Sequence, residues 1–156
     1  VNEELIPTSQ FTFYLPPIFD INMPSDSTAS NANAFGEILF QRIKDFGLRC
    51  IPVCDKLFSS SFSPSCTNMA KQLARSSSSS VANYRAVRRA RSHREFYSKL
   101  CIVIEELDES LFWIEYAIDA KFIHFERAES LLSEGNEILK ILVTSRKTSS
   151  RLLKEK

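Results

Sequence analysis

His93 and His124 are the only 2 histidines of the chain, and acid–base or metal chemistry would have to be built around them. They fall at opposite ends of one expected helix, so their spacing supports no Ser-His-Asp arrangement. Glu105, Glu106, Asp108 and Glu109 could supply paired carboxylates, because Glu105 shares a helical face with Asp108 and Glu109. A carboxylate-bridged metal pair in a bundle also needs Glu-x-x-His motifs on partner helices, and the sequence has none. The 4 cysteines are Cys50, Cys54, Cys66 and Cys101. Cys50 and Cys54 are one helical turn apart, but the set lacks the knuckle spacing of zinc modules. Buried thiols acting as small hydrophobes are expected. The expectation is a protein that is not an enzyme, with no cofactor and no metal.

Charge carries more information than any nucleophile. From Lys71 to Lys99 there are eight bases and one acid, Glu95; from Leu100 to Ala120 there are six acids and no base. A formal net charge of +1 therefore conceals a polar molecule. Arg85, Arg88, Arg89, Arg91 and Arg94 cluster at one turn between helices. Such a cluster can hold phosphates by charge and bidentate hydrogen bonds. It can equally be a solvated turn, or a contact with the acidic stretch of another subunit. No aromatic platform accompanies the arginines, so sequence-specific recognition is not expected. Trp113, the 1 tryptophan, flanks an apolar stripe. With Glu105 and Glu109 it is a candidate for a subunit interface.

These residues must be held by helices. The chain has 156 residues, 44% hydrophobic and 25% charged, with only 3 glycines, which suits one helical domain rather than a turn-rich β-sandwich. Leu39, Ile43, Phe46, Cys50, Val53, Cys54 and Leu57 recur at spacings of three and four, predicting a first helix from about Ala34 to Phe58. Pro52 should kink it, and Gly47 weakens it. Ser59–Ser65 reads as a loop. Met69, Leu73, Ser77, Val81 and Tyr84 keep helical spacing, yet the run Ser76–Ser80 has the composition of a flexible linker. Linker and close-packed helix stand as alternatives on the residues alone. Ser92-His93-Arg94-Glu95 has the form of a capping box, opening a third helix whose stripe runs from Phe96 to Ile118. A fourth is expected from about Glu126 to Thr148, with Gly135 as a weak point, and the short connection makes the last two antiparallel.

Residues 1–32 read differently. Pro7, Pro16, Pro17 and Pro24 fall there, with four acids and no base. They are expected to form an extended or disordered leader, with Phe11–Leu15 as a short strand candidate and Met23 as a conceivable internal start. The expected organisation is a leader over 1–32, a bundle over 33–149 and a basic tail over 150–156. No apolar run is long enough to span a bilayer, and no signal peptide is recognised; a cytoplasmic address with no membrane partner is expected.

The segment from Lys71 to Glu115 closely resembles the small four-helix-bundle proteins first named for intervening sequences in bacterial large-subunit (23S) ribosomal RNA. The resemblance rests on Arg75-Ser76, Ser79-Ser80-Val81, Ala82-Asn83-Tyr84, Ala90-Arg91-Ser92, Glu95-Phe96, Glu106, Asp108-Glu109-Ser110 and Phe112-Trp113-Ile114-Glu115. Ala86 and Val87 depart from the family's acidic position after Ala-Asn, and the serine run replaces a usual glycine. The resemblance implies an all-α, antiparallel up-and-down four-helix bundle with Ser76–Ser80 inside its second helix. It also implies a homo-oligomer, since related proteins form rings, pentamers among them. Related bundles serve reverse transcriptases of diversity-generating elements, which supports an RNA or DNA partner by resemblance. Two functions follow as expectations: a self-assembling scaffold or accessory protein, and a nucleic-acid-binding accessory that uses the arginine turn for structured RNA or a ribonucleoprotein.

Overall fold

The structure, a computed structural model, describes residues 26–59 and 63–154, and the side chains of residues 34–59 and 63–154. Four helices follow one another: α1 (Asp26–Ser59), α2 (Pro64–Val87), α3 (His93–Asp119) and α4 (Phe125–Lys154). α2 packs on α1 and α3, and α4 packs on α3 and α1, so α1 and α3 stand at diagonal corners. This is the four-helix bundle that the resemblance implies, with its helices where the apolar stripes place them. α1 starts at Asp26, earlier than the Ala34 read from its stripe, and α4 runs through to Lys154 across residues expected to be a basic tail. Most of the expected leader, including Phe11–Leu15, lies outside the described residues.

The stripes become the core. Ile43, Phe46, Cys50, Leu73, Val103, Leu107, Ile114, Ile138 and Leu142 are fully buried. A second cluster of Leu57, Cys66, Met69, Ala70 and Ala117 closes the end where α1 leads into α2, with Trp113 packed against it. Each such aliphatic side chain contributes about 1.5–3 kcal/mol on burial. α1 passes unbroken through Pro52. The proline deprives the Leu48 carbonyl of its usual donor, but Leu48 and Pro52 both face solvent, where water can take its place.

Ser76–Ser80 lie within α2, with Ser76, Ser77 and Ser80 buried. Each buried hydroxyl has an acceptor one turn back: Ser77 donates to the Leu73 carbonyl at 2.7 Å and Ser80 to that of Ser77 at 2.8 Å. Back-bonding removes the cost of burying a hydroxyl, and the small side chains let neighbours approach. A Cβ on Gly47 would stand 2.8 Å from Val81 Cγ2 and 3.4 Å from the Ser77 carbonyl oxygen. Gly135 does the same for α4, since a Cβ there would stand 2.6 Å from Phe46 Cε2 and 2.7 Å from Leu111 Cδ2. The two glycines that look like weak points are places where atoms of neighbouring helices occupy the space of a Cβ.

Turn chemistry sets the helix ends. The Ser92 hydroxyl accepts from the Glu95 amide at 3.1 Å, as a capping box requires. The return bond differs from the expected one: Glu95 Oε2 accepts from the backbone N–H of Arg91 at 3.0 Å, one residue before the cap. At the end of α3, Lys121 adopts φ 62°. The Phe122 amide reaches back to the Ala117 carbonyl at 3.0 Å and the Lys121 amide to that of Ile118 at 2.8 Å, a Schellman closure with lysine where glycine is usual.

Candidate functional site

The outer face of α3 presents the candidate assembly residues together. Phe112, Trp113 and Tyr116 form an aromatic ladder: Phe112 meets Trp113 edge-on at 5.0 Å between centroids and stacks on Tyr116 at 5.6 Å. Phe112 and Tyr116 are about half exposed, at 51% and 50%. Below them the Trp113 indole N–H donates to Glu109 Oε1 at 3.1 Å. Arg75 of α2 grips the same carboxylate with Nη2, at 2.7 Å from Oε1 and 2.6 Å from Oε2. Burial pushes the Glu109 carboxyl upward, but the Trp113 and Arg75 donors outweigh it and hold its pKa below the usual carboxylate value. Arg75 Nη1 stands 3.6 Å from Glu106 Oε2, beyond hydrogen-bond reach, so that pair interacts by charge alone. Glu109 thus serves a bond between α2 and α3 within one chain, whereas Glu105 is exposed and makes no ion pair with a described residue.

A second apolar surface lies on the diagonal helix. Leu48, Ile51 and Phe58 of α1 are 53%, 53% and 63% exposed. Spaced three and seven apart, they fall on one face of the helix. The sequence pattern concealed them, because they lie off the stripe that defines α1.

The five candidate arginines are brought to one end of the bundle and divide into two groups. Arg88 pairs with Glu37 at 2.5 Å and lies over the Phe40 ring at 5.2 Å, and Phe40 stacks in turn on the buried Tyr84. Arg91 pairs with Glu95 at 3.2 Å. Arg85, Arg89 and Arg94 are exposed and make no ion pair among the described residues. Sequence reasoning missed their neighbours. His93 Nε2 lies 2.9 Å from the Ser149 carbonyl oxygen and 2.8 Å from its hydroxyl, fixing the C-terminal part of α4 beside the start of α3. There Tyr97, Arg146, Lys147, Ser150, Arg151 and Lys154 line a cleft of about 440 Å³. Lys147, Arg151 and Lys154 are spaced four and three apart, a one-face signal present in the sequence, where residues 150–156 read as a basic tail.

The cysteines are free; Cys50 and Cys66 are buried, and Cys54 and Cys101 half-buried. Burial, with the neighbouring Cys54, pushes the Cys50 thiol up to about 12. Burial, with Asp55, pushes Cys54 up to about 11. Both are thiols at neutral pH, the wrong form for a nucleophile or a metal ligand. Among the described residues no three His, Cys, Asp or Glu side chains converge as metal ligands would, and no helix is long and apolar enough to cross a membrane.

No curated protein matches the chain. A solved structure from Bacteroides thetaiotaomicron, a protein of unknown function from the S23 ribosomal protein family, matches with a TM-score of 0.63 and 30% identity, over 70% of this chain and 98% of the other. The sequence also matches the pattern of the 23S rRNA-intervening sequence proteins over residues 40–144, a span that contains the Arg75–Glu109–Trp113 bonds, the aromatic ladder and the arginine turn. The chain belongs to the family of 23S rRNA-intervening sequence proteins.

Proposed function

We propose that this protein is a non-enzymatic scaffold or accessory protein that works as a closed homo-oligomer. The observation that supports this reading is the pair of exposed apolar surfaces on diagonal helices, the Phe112–Trp113–Tyr116 ladder of α3 and Leu48, Ile51 and Phe58 of α1. Two different patches on opposite corners suit a head-to-tail contact, and such contacts generate rings when the rotation closes. Aromatic anchors rimmed by polar groups are the usual centre of an interface, and here Glu105 and Glu109 supply the rim. The test is the mass in solution of the Phe112→Ser, Tyr116→Ser double variant. Dissociation to monomers with helicity retained supports the reading, and an unchanged mass refutes it.

A second reading, a nucleic-acid-binding accessory, is favoured by Arg85, Arg89 and Arg94, which lack ion pairs among the described residues. Binding of structured RNA at two salt concentrations tests it. Changing these three arginines to glutamine should weaken binding and lower the log–log salt slope by about 0.7–0.9 for each phosphate no longer neutralised. Wild-type protein with no RNA or DNA affinity at low salt would remove this reading.

A further inference from the structure

The exposed apolar faces of α1 and α3 lie at one height along the bundle, a relationship that assembly as such does not require. On α1 the outward line is Lys44, Leu48, Ile51 and Asp55; on α3 it is Glu105, Asp108, Phe112, Tyr116 and Asp119, all exposed. Each line keeps spacings of three and four, so each is one face of its helix.

Cross-helix contacts give the heights, since neighbouring helices rise equally per residue. Glu37 pairs with Arg88, and a Cβ on Gly47 would meet Val81 and the Ser77 carbonyl. Ser76 in turn meets Ser110 at 2.9 Å. Counted through α2, Ile51 is level with Phe112, and Lys44 with Glu105. The route through α4 agrees. Arg49 bonds Ser130 at 2.8 Å, Gly135 abuts Leu111, and His93 meets Ser149, which places Leu48 between Leu111 and Glu115. Direction follows from the same contacts. Arg42 reaches Glu137 while Arg49 reaches Ser130, and His93 meets Ser149 while Leu111 meets Gly135. α4 therefore runs opposite to both α1 and α3, and those two run the same way.

A neighbour generated by rotation about an axis along the bundle keeps both height and direction. Contact faces at different heights add a rise at every step and build a filament; faces at one height allow the rotation to close. The charges fit this arrangement. Lys44, Glu105 and Asp108 make no ion pair with a described residue, and at equal height the one base comes level with the two acids. Past the apolar contact α1 carries both signs, Asp55 and Lys56, so that end adds little preference. Resting on the assembly reading, we propose that the partner of the α3 ladder is α1 of a second copy, laid parallel to it. Phe112 and Tyr116 of one copy cover Leu48 and Ile51 of the next, whose Lys44 pairs with Glu105 and Asp108. Apolar burial supplies the affinity, and the charges set the register.

Sedimentation of full-length variants tests the pairing. Ile51→Arg and Phe112→Arg should each give monomers. An equal mixture of the two should form a one-to-one dimer and nothing larger, because each copy keeps one intact face. Lys44→Glu should raise the dissociation midpoint about tenfold at low salt. Adding Glu105→Lys with Asp108→Lys to that chain should restore it, and adding Glu115→Lys with Asp119→Lys should not. Circular dichroism checks that each variant is helical, and Lys44→Glu, at an exposed position, keeps the test decisive should an arginine variant unfold. The pairing is overturned by an Ile51→Arg chain that keeps the wild-type mass, by a mixture that stays monomeric, or by rescue through residues 115 and 119 instead of 105 and 108. In each of these cases an assembled wild type leaves the assembly reading standing on another contact, whereas a monomeric wild type refutes both.

Discussion

The Ser110 hydroxyl of α3 donates across the bundle interior to the hydroxyl of Ser76 on α2 at 2.9 Å, with the Glu106 carbonyl as a second acceptor at 2.8 Å. Ser76 has the Leu73 carbonyl at 3.4 Å as its own acceptor. Both serines are fully buried. The pair fixes the height of α2 against α3 one residue from the Arg75–Glu109 bond, so a polar lock and an ion pair set the same register.

Breaking that lock should be measurable. A double-mutant cycle on Ser76→Ala and Ser110→Ala should give a coupling of about 0.5–1.5 kcal/mol in urea unfolding. Ser77→Leu should overpack the α1–α2 contact at Gly47 and cost about 1–3 kcal/mol. Additive serine variants, or a neutral Ser77→Leu, would mean that the serine run does not lie at a tight contact.

Gly135→Ala sets two effects against each other. Alanine raises helix propensity by about 1 kcal/mol, but its Cβ collides with Phe46 and Leu111, both buried. Phe46 is wholly enclosed and cannot swing aside, so overpacking should win and the net change should be a loss of about 1–2 kcal/mol. A gain in thermal stability would show that α4 can shift without cost.

Lys121 offers the opposite case. A left-handed residue with a side chain is strained by roughly 1–2 kcal/mol, and glycine relieves that strain while losing some of the benefit to unfolded-state entropy. Lys121→Gly should therefore raise stability by up to about 1 kcal/mol, read from the urea midpoint. A lower midpoint would contradict the αL assignment.

The Glu109 carboxyl, held below its ordinary value by Trp113 and Arg75, links stability to acid. A lowered folded pKa contributes stability that is fully present above the unfolded value, about 4.3 for glutamate. That contribution is lost as pH falls through the folded value. Glu109→Gln should flatten the acid limb of the stability–pH curve and leave its neutral plateau parallel to that of the wild type. An acid limb of unchanged slope would show that Glu109 is not perturbed.

The helices were legible because their core residues keep one period: Leu39 to Leu57 and Phe96 to Ile118 specify a buried face whatever lies opposite. The serine run was not legible from its residues, because serine reads as linker unless one knows that a neighbour approaches within the reach of a Cβ. The resemblance to a known family resolved that point. For the arginine turn the sequence showed the cluster but not which arginines Glu37 and Glu95 engage, since Glu37 lies on another helix. The cleft escaped because Tyr97 and Arg146, which both line it, are distant in sequence and lie on different helices. The exposed Leu48, Ile51 and Phe58 escaped for the reverse reason, as apolar residues outside any stripe.

Assembly through an apolar contact is the central claim, and sedimentation of the wild-type chain over a broad range of concentration, at low and high salt, tests it most directly. An aromatic contact is not weakened by salt, whereas pairing of the arginine turn with Glu105 would be screened. The account predicts a closed species several times the 17.8 kDa chain mass that persists at high salt. A 17.8 kDa monomer at every concentration, or an oligomer that dissolves as salt rises, would contradict it.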